Sequence, residues 1–247
     1  MSNLTKSKKP LVSLQFSFFE ESYDQNLQKL ISLIQKAPDD AVIVAPELCL
    51  TNFSYQDFEK AASFSKEAKK SILQLSKDKL ICLTMIEKIA GKFYNNAKIF
   101  YNQQEIYTQA KAKLFSFGDE DKYFTAGDEK NIKIIEIDGI RYGILICFEI
   151  RFIHLWEQIQ GADIILIPAL WGVLRKEQLE AITKAMAILN QAFVIISDSS
   201  NTDMAKGSGI ITPFGKFHRD DNSEFIMHLA DLKEIKKMRR YMDIGLT

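Results

Sequence analysis

The apolar residues of this chain are grouped into short runs rich in Ile, Val and Leu, each stopped by Gly, Pro or a charged side chain. "LVSLQFSF" (11–18), "AVIVAPE" (41–47), "GIRYGILIC" (139–147), "ADIILIP" (162–168) and "AFVIIS" (192–197) are examples. Runs of about four to eight residues with flanking turn signals suit buried strands. The longest nearly uninterrupted stretch, 164–174, is only about half of the roughly 20 residues that a bilayer span requires. Between the first two runs Leu27, Leu30, Ile31 and Ile34 recur at helical spacing, and 55–77 and 176–190 also read as helices. Further strands are expected near 80–88, 95–101 and 104–109, with "NQQ" as a hairpin tip, and at 132–137, 207–213 and 224–230. A helix should open near Arg151, and a short basic helix should close the chain.

Helices separate the early strands and hairpins join later ones, so an α/β fold with mixed sheets is expected. No linker, repeat or low-complexity segment interrupts the series, which predicts one domain over 1–247. The 32 basic and 32 acidic side chains balance, giving no surplus charge for nucleic acid or an anionic membrane. The basic start "MSNLTKSKKP" leads into a segment broken by Ser and Gln without a small-residue cleavage site, so a cytoplasmic protein is expected. Three cysteines without CxxC spacing predict neither a disulfide framework nor a zinc cage.

Three strand ends carry chemistry: Glu47 after "AVIVAP", Lys111 after "EIYTQA" and Cys147 after "YGILI". Singly, each has an ordinary explanation. A Cys closing an apolar strand is commonly a core residue, and a lone Glu or a pair such as Lys111 and Lys113 commonly faces solvent. Together, a thiol, a carboxylate and an ammonium suffice for attack on a carbonyl or nitrile carbon, because a base and a nearby cation make a thiolate available. His154 lies seven residues past Cys147 on the expected next helix, badly placed to reach the sulfur, so a carboxylate is the better base.

"APEL" (45–48), "KAKLF" (111–115) with Glu120 following, and "LICFEIRF" (145–152) resemble, in that order, the signature blocks of the nitrilase superfamily, carbon–nitrogen hydrolases with a Glu-Lys-Cys triad. "PALW" (168–171), "AILNQAF" (187–193) and "GSGIITPFG" (207–215) resemble later blocks. The resemblance implies a four-layer α-β-β-α sandwich of two mixed β-sheets, a small amide substrate, no cofactor or metal, and a homodimer or larger homo-oligomer. It implies Glu47 as general base, Lys111 as electrophilic cation, Cys147 as nucleophile and Glu120 as a second carboxylate. The backbone N–H of Phe148 would join Lys111 in meeting the oxyanion. Lys113, Arg151 and Trp171 are candidate substrate-binding residues, with surface or interface ion pairing the other reading of Arg151.

The pattern departs from many relatives at Gln109, Lys113 and Ile153, and at Met186 and Leu189, where assembly contacts are expected. Phe148 after the nucleophile, where nitrilases usually have Trp, resembles the branch that cleaves linear amides, such as omega-amidases. Two other readings are a metal-dependent phosphoesterase of similar sandwich fold, with "SDSSNTD" (197–203) near the metal, and an inactive binding scaffold of the same family.

Overall fold

Alternation along the early strands decides the layering. In β1 (Lys8–Leu14), β2 (Val42–Val44), β3 (Leu80–Ile89) and β4 (Lys92–Tyr101), one set of side chains, Leu11, Val42, Val44, Leu80, Cys82, Ala97 and Ile99, joins a core shared with a second sheet. The intervening set, among them Val12, Leu14, Ile43, Ile81 and Leu83, packs under α1 (Tyr23–Lys36) and α2 (Phe58–Leu75). A period of two on a pleated strand buried on both faces produces this division. The computed structural model describes residues 8–20 and 22–246, so the reading of the basic start at 1–7 lies outside the described residues.

The first sheet is completed by β5 (Gln104–Ala110) on one edge and β12 (Phe225–Asp231) on the other, in the order β12-β1-β2-β3-β4-β5. After α3 (Glu120–Tyr123) the chain builds the second sheet from β6 (Ile135–Ile137), β7 (Ile140–Ile144), β8 (Ile164–Pro168), β9 (Phe193–Ser197), β10 (Gly209–Ile211) and β11 (Phe217–His218). Its order is β11-β10-β9-β8-β7-β6. Both sheets are mixed: β1, β2 and β3 run parallel, as do β7, β8 and β9, and the remaining pairs are antiparallel. α4 (Ile153–Gln158) and α5 (Lys176–Leu189) cover the second sheet through Leu155, Trp156, Leu179 and Ala187. α6 (Lys233–Tyr241) follows β12 and buries Ile235 and Met238. The result is the expected α-β-β-α sandwich. Among the described residues no helix is long and apolar enough to cross a membrane.

Several expected strands are shorter in the structure, each for a local reason. β1 stops at Leu14, after which Phe18 pairs with the Asn201 side chain through its N–H (3.0 Å) and its carbonyl (3.0 Å) rather than with a strand. The segment at 132–137 begins as the end of a 3₁₀ turn over Glu129–Asn131, leaving only Ile135–Ile137 as strand. The helix expected near Arg151 opens at Ile153 as α4, after a 3₁₀ turn over Cys147–Arg151. β11, two residues long, was not foreseen.

Polar bonds between the sheets fix the strand ends against each other. Ser13 Oγ donates to Ile196 O, Ser197 Oγ donates to Leu14 O, and Glu47 N–H donates to Ala169 O at 3.0 Å. Gly127 holds the exit of β5: its N–H donates to Lys111 O at 2.9 Å, and a Cβ there would lie 2.4 Å from Ala110 O. Gly127→Ala must therefore push the backbone that bears Lys111, and overpacking of this kind costs about 1–3 kcal/mol. Urea unfolding should show that loss; an unchanged midpoint would mean that the contact relaxes freely.

Candidate active site

Glu47, Lys111 and Cys147 each lie one to three residues beyond a strand end, and Lys111 is bonded directly to Glu47. Lys111 Nζ, fully buried, donates to Glu47 Oε1 at 2.7 Å and to Glu120 Oε1 at 2.7 Å. Burial alone would lower the Lys111 pKa, but Glu47, Cys147 and Glu120 outweigh it and raise it above the ordinary lysine value. The side chain is therefore an ammonium in the absence of water. Glu120 opens α3, placed there by the turn over Ser116–Gly118 and an Asp119 backbone at φ 61°. Burial raises its pKa, Lys111 opposes that rise, and Phe115 N–H donates to its Oε2 at 3.1 Å.

Glu47 Oε1 also accepts from Asn95 Nδ2 at 2.8 Å, whereas Oε2 is buried with no hydrogen-bond partner among the described residues. Burial, and next the Glu47 charge, hold the Cys147 pKa well above the ordinary thiol range, so the resting sulfur carries its proton. Leu170 N–H points at that sulfur over 3.5 Å. The Cys147 backbone has φ 49°, in the left-handed region that non-glycine residues enter only when their surroundings impose it. Cys49 and Cys82 are core side chains, fully buried.

Cys147 forms part of the wall of a small cleft that opens to solvent, with Phe148, Arg151, Trp171, Arg175 and Phe115 around it. Glu47, Lys111 and Glu120 lie behind this wall. Arg151 stacks on the Trp171 ring at 4.7 Å and donates to Gln178 Oε1; Arg175 stacks on Phe115 at 5.5 Å. Arg151 thus lines the cleft, and its polar partner is the neutral Gln178 amide rather than the acid of an ion pair. Lys113 does not share a face with Lys111. β5 ends at Ala110, so strand alternation no longer applies, and Lys113 pairs with Glu129 and lies over Phe152 at 5.0 Å. His154 joins the same Glu129 at 2.8 Å.

Three contributors were not anticipated. Glu149 is fully buried and accepts from Ile146 N–H at 2.7 Å and Ala112 N–H at 2.6 Å. Asp198, equally buried, accepts from Trp171 N–H at 3.1 Å, Ser199 N–H at 2.8 Å and Gly207 N–H at 3.4 Å. Burial pushes each of these carboxyls up to about 7, and the N–H donors offset part of the rise. Arg175 is the third. Asp198 is the buried acid of the "SDSSNTD" segment, and both its oxygens are committed to main-chain N–H groups. Among the described residues no group of three or more His, Cys, Asp or Glu side chains is placed to hold a metal ion.

The chain thus forms a two-sheet sandwich with a buried Glu-Lys-Glu cluster and a cysteine in the wall of a cleft. The carbon-nitrogen hydrolase family profile matches residues 13–240, and the chain belongs to that family. It is 28% identical over 246 residues to the 2-oxoglutaramate amidase of Bacillus subtilis (strain 168), covering 94% of each chain. It is 29% identical over 194 residues to the 2-oxoglutaramate amidase of Paenarthrobacter nicotinovorans, covering 72% of this chain and 64% of that one. The fold matches the crystal structure of Saccharomyces cerevisiae Nit3, a member of branch 10 of the nitrilase superfamily, with TM-score 0.84, 21% identity and coverage of 96% and 95%.

A folded-state carboxyl raised to about 7 favours the folded state most below the ordinary Asp pKa of about 3.9, and that contribution is lost as pH rises toward the folded value. The stability of the parent relative to Asp198→Asn should therefore fall by at least about 1 kcal/mol between about pH 5 and pH 7 and level off above. Urea titrations of both proteins at each pH test this; a constant difference would contradict it.

Proposed function

We propose that this protein hydrolyses a short linear carboxamide to a carboxylate and ammonia through a thioester on Cys147. The observation that carries the reading is the Lys111 ammonium locked between Glu47 and Glu120 beside a cleft thiol, with one Glu47 oxygen unpaired. In this reading Glu47 takes the thiol proton as the sulfur attacks the amide carbon. The C–O π electrons move onto oxygen, where Lys111 and the Phe148 N–H meet the charge. The C–N bond then breaks as Glu47 passes its proton to nitrogen, and ammonia leaves. Water gives a proton to Glu47 and its oxygen to the thioester carbon, the C–S bond breaks, and the sulfur recovers the proton. Glu120 keeps Lys111 charged and aimed throughout.

The preferred substrate is an amide with a carboxylate at its far end. Arg151 and Arg175 flank the cleft, each backed by an aromatic ring that restricts the guanidinium, and a carboxylate is the group such a pair recognises. The name of the Bacillus subtilis relative supports the same substrate class, and 2-oxoglutaramate is the first amide to try. Trp171 supplies the apolar wall between sulfur and arginine. Lys113, tied to Glu129, keeps a part in substrate binding only through the Phe152 ring beside it, which in turn packs on Phe148. Assembly into a homodimer or larger oligomer fits the exposed Leu189, Phe214 and Tyr241, the two aromatics joined by Lys237.

Ammonia release from a panel of short amides, with and without a distal carboxylate, tests the proposal. Cys147→Ser should fold and release no ammonia, and Lys111→Ala should lose at least about 2.7–4 kcal/mol of transition-state stabilisation in kcat/KM. Retained turnover in Cys147→Ser, or no activity of the parent on any amide, would support the inactive-scaffold reading or another chemistry. The Arg151→Ala, Arg175→Ala double variant should raise KM at least about tenfold for the carboxylate-bearing amide and leave neutral amides nearly unaffected. Equal effects on both classes would remove the arginines from substrate selection.

A further inference from the structure

The reaction as written leaves Glu149 without a task, although this carboxylate is fully buried two residues past the reacting sulfur. Its oxygens turn away from the cleft toward two main-chain donors. Oε2 accepts from the N–H of Ile146, the residue before Cys147, and Oε1 accepts from the N–H of Ala112, the residue after Lys111. These donors lie past the ends of β7 and β5, which belong to different sheets, so no strand ladder sets their separation. A second side chain spans the same gap: Gln109 Nε2 donates to Ile144 O at 3.3 Å. The Glu149 bonds, at 2.7 and 2.6 Å, are the shorter and charge-assisted ones. They also anchor the residue that precedes the left-handed backbone of Cys147.

We infer that Glu149 is a positioning residue for amide cleavage: by clamping the Ala112 and Ile146 N–H groups with one carboxylate it fixes the Lys111 ammonium relative to the Cys147 sulfur. The inference rests on the reading of Lys111 and Cys147 given above. Its chemical requirement is a group that only accepts hydrogen bonds, on both oxygens, because both partners are donors. Glutamine fits the same space but offers one accepting oxygen and turns an NH₂ toward the other donor, orphaning one N–H and releasing one of the two segments. A displacement of the reacting groups lowers the rate of the bound complex, whereas the cleft wall that binds the rest of the amide is unchanged.

Glu149→Gln and Glu149→Asp, the latter one methylene too short to span both donors, are to be assayed for steady-state ammonia release and thermal unfolding, with Cys147→Ser alongside. The expected result is a folded Glu149→Gln protein with kcat reduced about 100-fold and KM within about threefold of the parent. Glu149→Asp should keep the charge and still lose kcat rather than KM. A folded Glu149→Gln protein with kcat within about twofold of the parent, or with its loss confined to KM, overturns the inference. If Glu149→Gln does not fold, Glu149→Asp is judged by the same split; if neither folds, Glu149 serves stability and the positioning role is lost. Turnover by Cys147→Ser would remove the nucleophile assignment itself, whereas an inactive Cys147→Ser beside a fully active Glu149→Gln removes only the clamp.

Discussion

An ammonium shut away from water must be surrounded by negative charge, and the arrangement around Lys111 meets that need with two carboxylates at 2.7 Å. Each ion removed from water costs several kcal/mol, so any member of the cluster without its partners would be strongly unfavourable. The two carboxylates outnumber the one ammonium, and the surplus negative charge is spread over Asn95 and the Phe115 N–H. One oxygen, Glu47 Oε2, is left over. Lys111 and Asn95 both bond Oε1, and burial holds the Cys147 pKa well above the ordinary thiol range.

The cluster exists only because three distant parts of the chain end together. Glu47 is fixed by its own N–H on Ala169 O, a bond from the first sheet to the second. Lys111 leaves β5 under the restraint of Gly127, and Glu120 comes from the short turn that follows. Around this centre the fold twice uses a buried carboxylate against backbone N–H groups: Glu149 joins the Lys111 and Cys147 segments, and Asp198 joins Trp171 to the segment after β9. Such carboxylates are unstable as ions without their donors, so each holds its loop in one arrangement or is expelled from it. The site is thus stiff at the sulfur and the ammonium, while the cleft mouth is formed by longer side chains, Arg151 and Arg175.

Much of this was legible in the sequence because strands buried on both faces read as apolar runs, and a reactive residue that ends such a run is conspicuous. Glu47 and Cys147 were visible for that reason, and so were the two mixed sheets; Lys111 follows the half-exposed edge strand β5 and stood out only beside them. Glu149 was visible without its role: a charge just past an apolar run looks the same whether it meets solvent or main-chain donors, and the donors here, Ala112 and Ile146, belong to distant segments of the chain. Asp198 was noticed only as a possible metal ligand for the same reason. Lys113 lies three residues past the end of β5, where strand alternation gives no guide to its direction, and it pairs with Glu129. Arg175 sits in "GVLRK" with no local pattern to mark it, and its position depends on Phe115, 60 residues earlier in the chain.

In the proposed reaction the sulfur of Cys147 becomes acylated with Lys111 and Glu47 at its side. Rapid acid quench of the protein during turnover of a carboxylate-bearing amide, followed by intact-mass and peptide mapping, measures this directly. The account predicts a transient acyl group on the peptide that contains Cys147, formed as the first ammonia is released and lost as the acid product appears. Steady ammonia release with no adduct on that peptide, or with the acyl group on another residue, would contradict it.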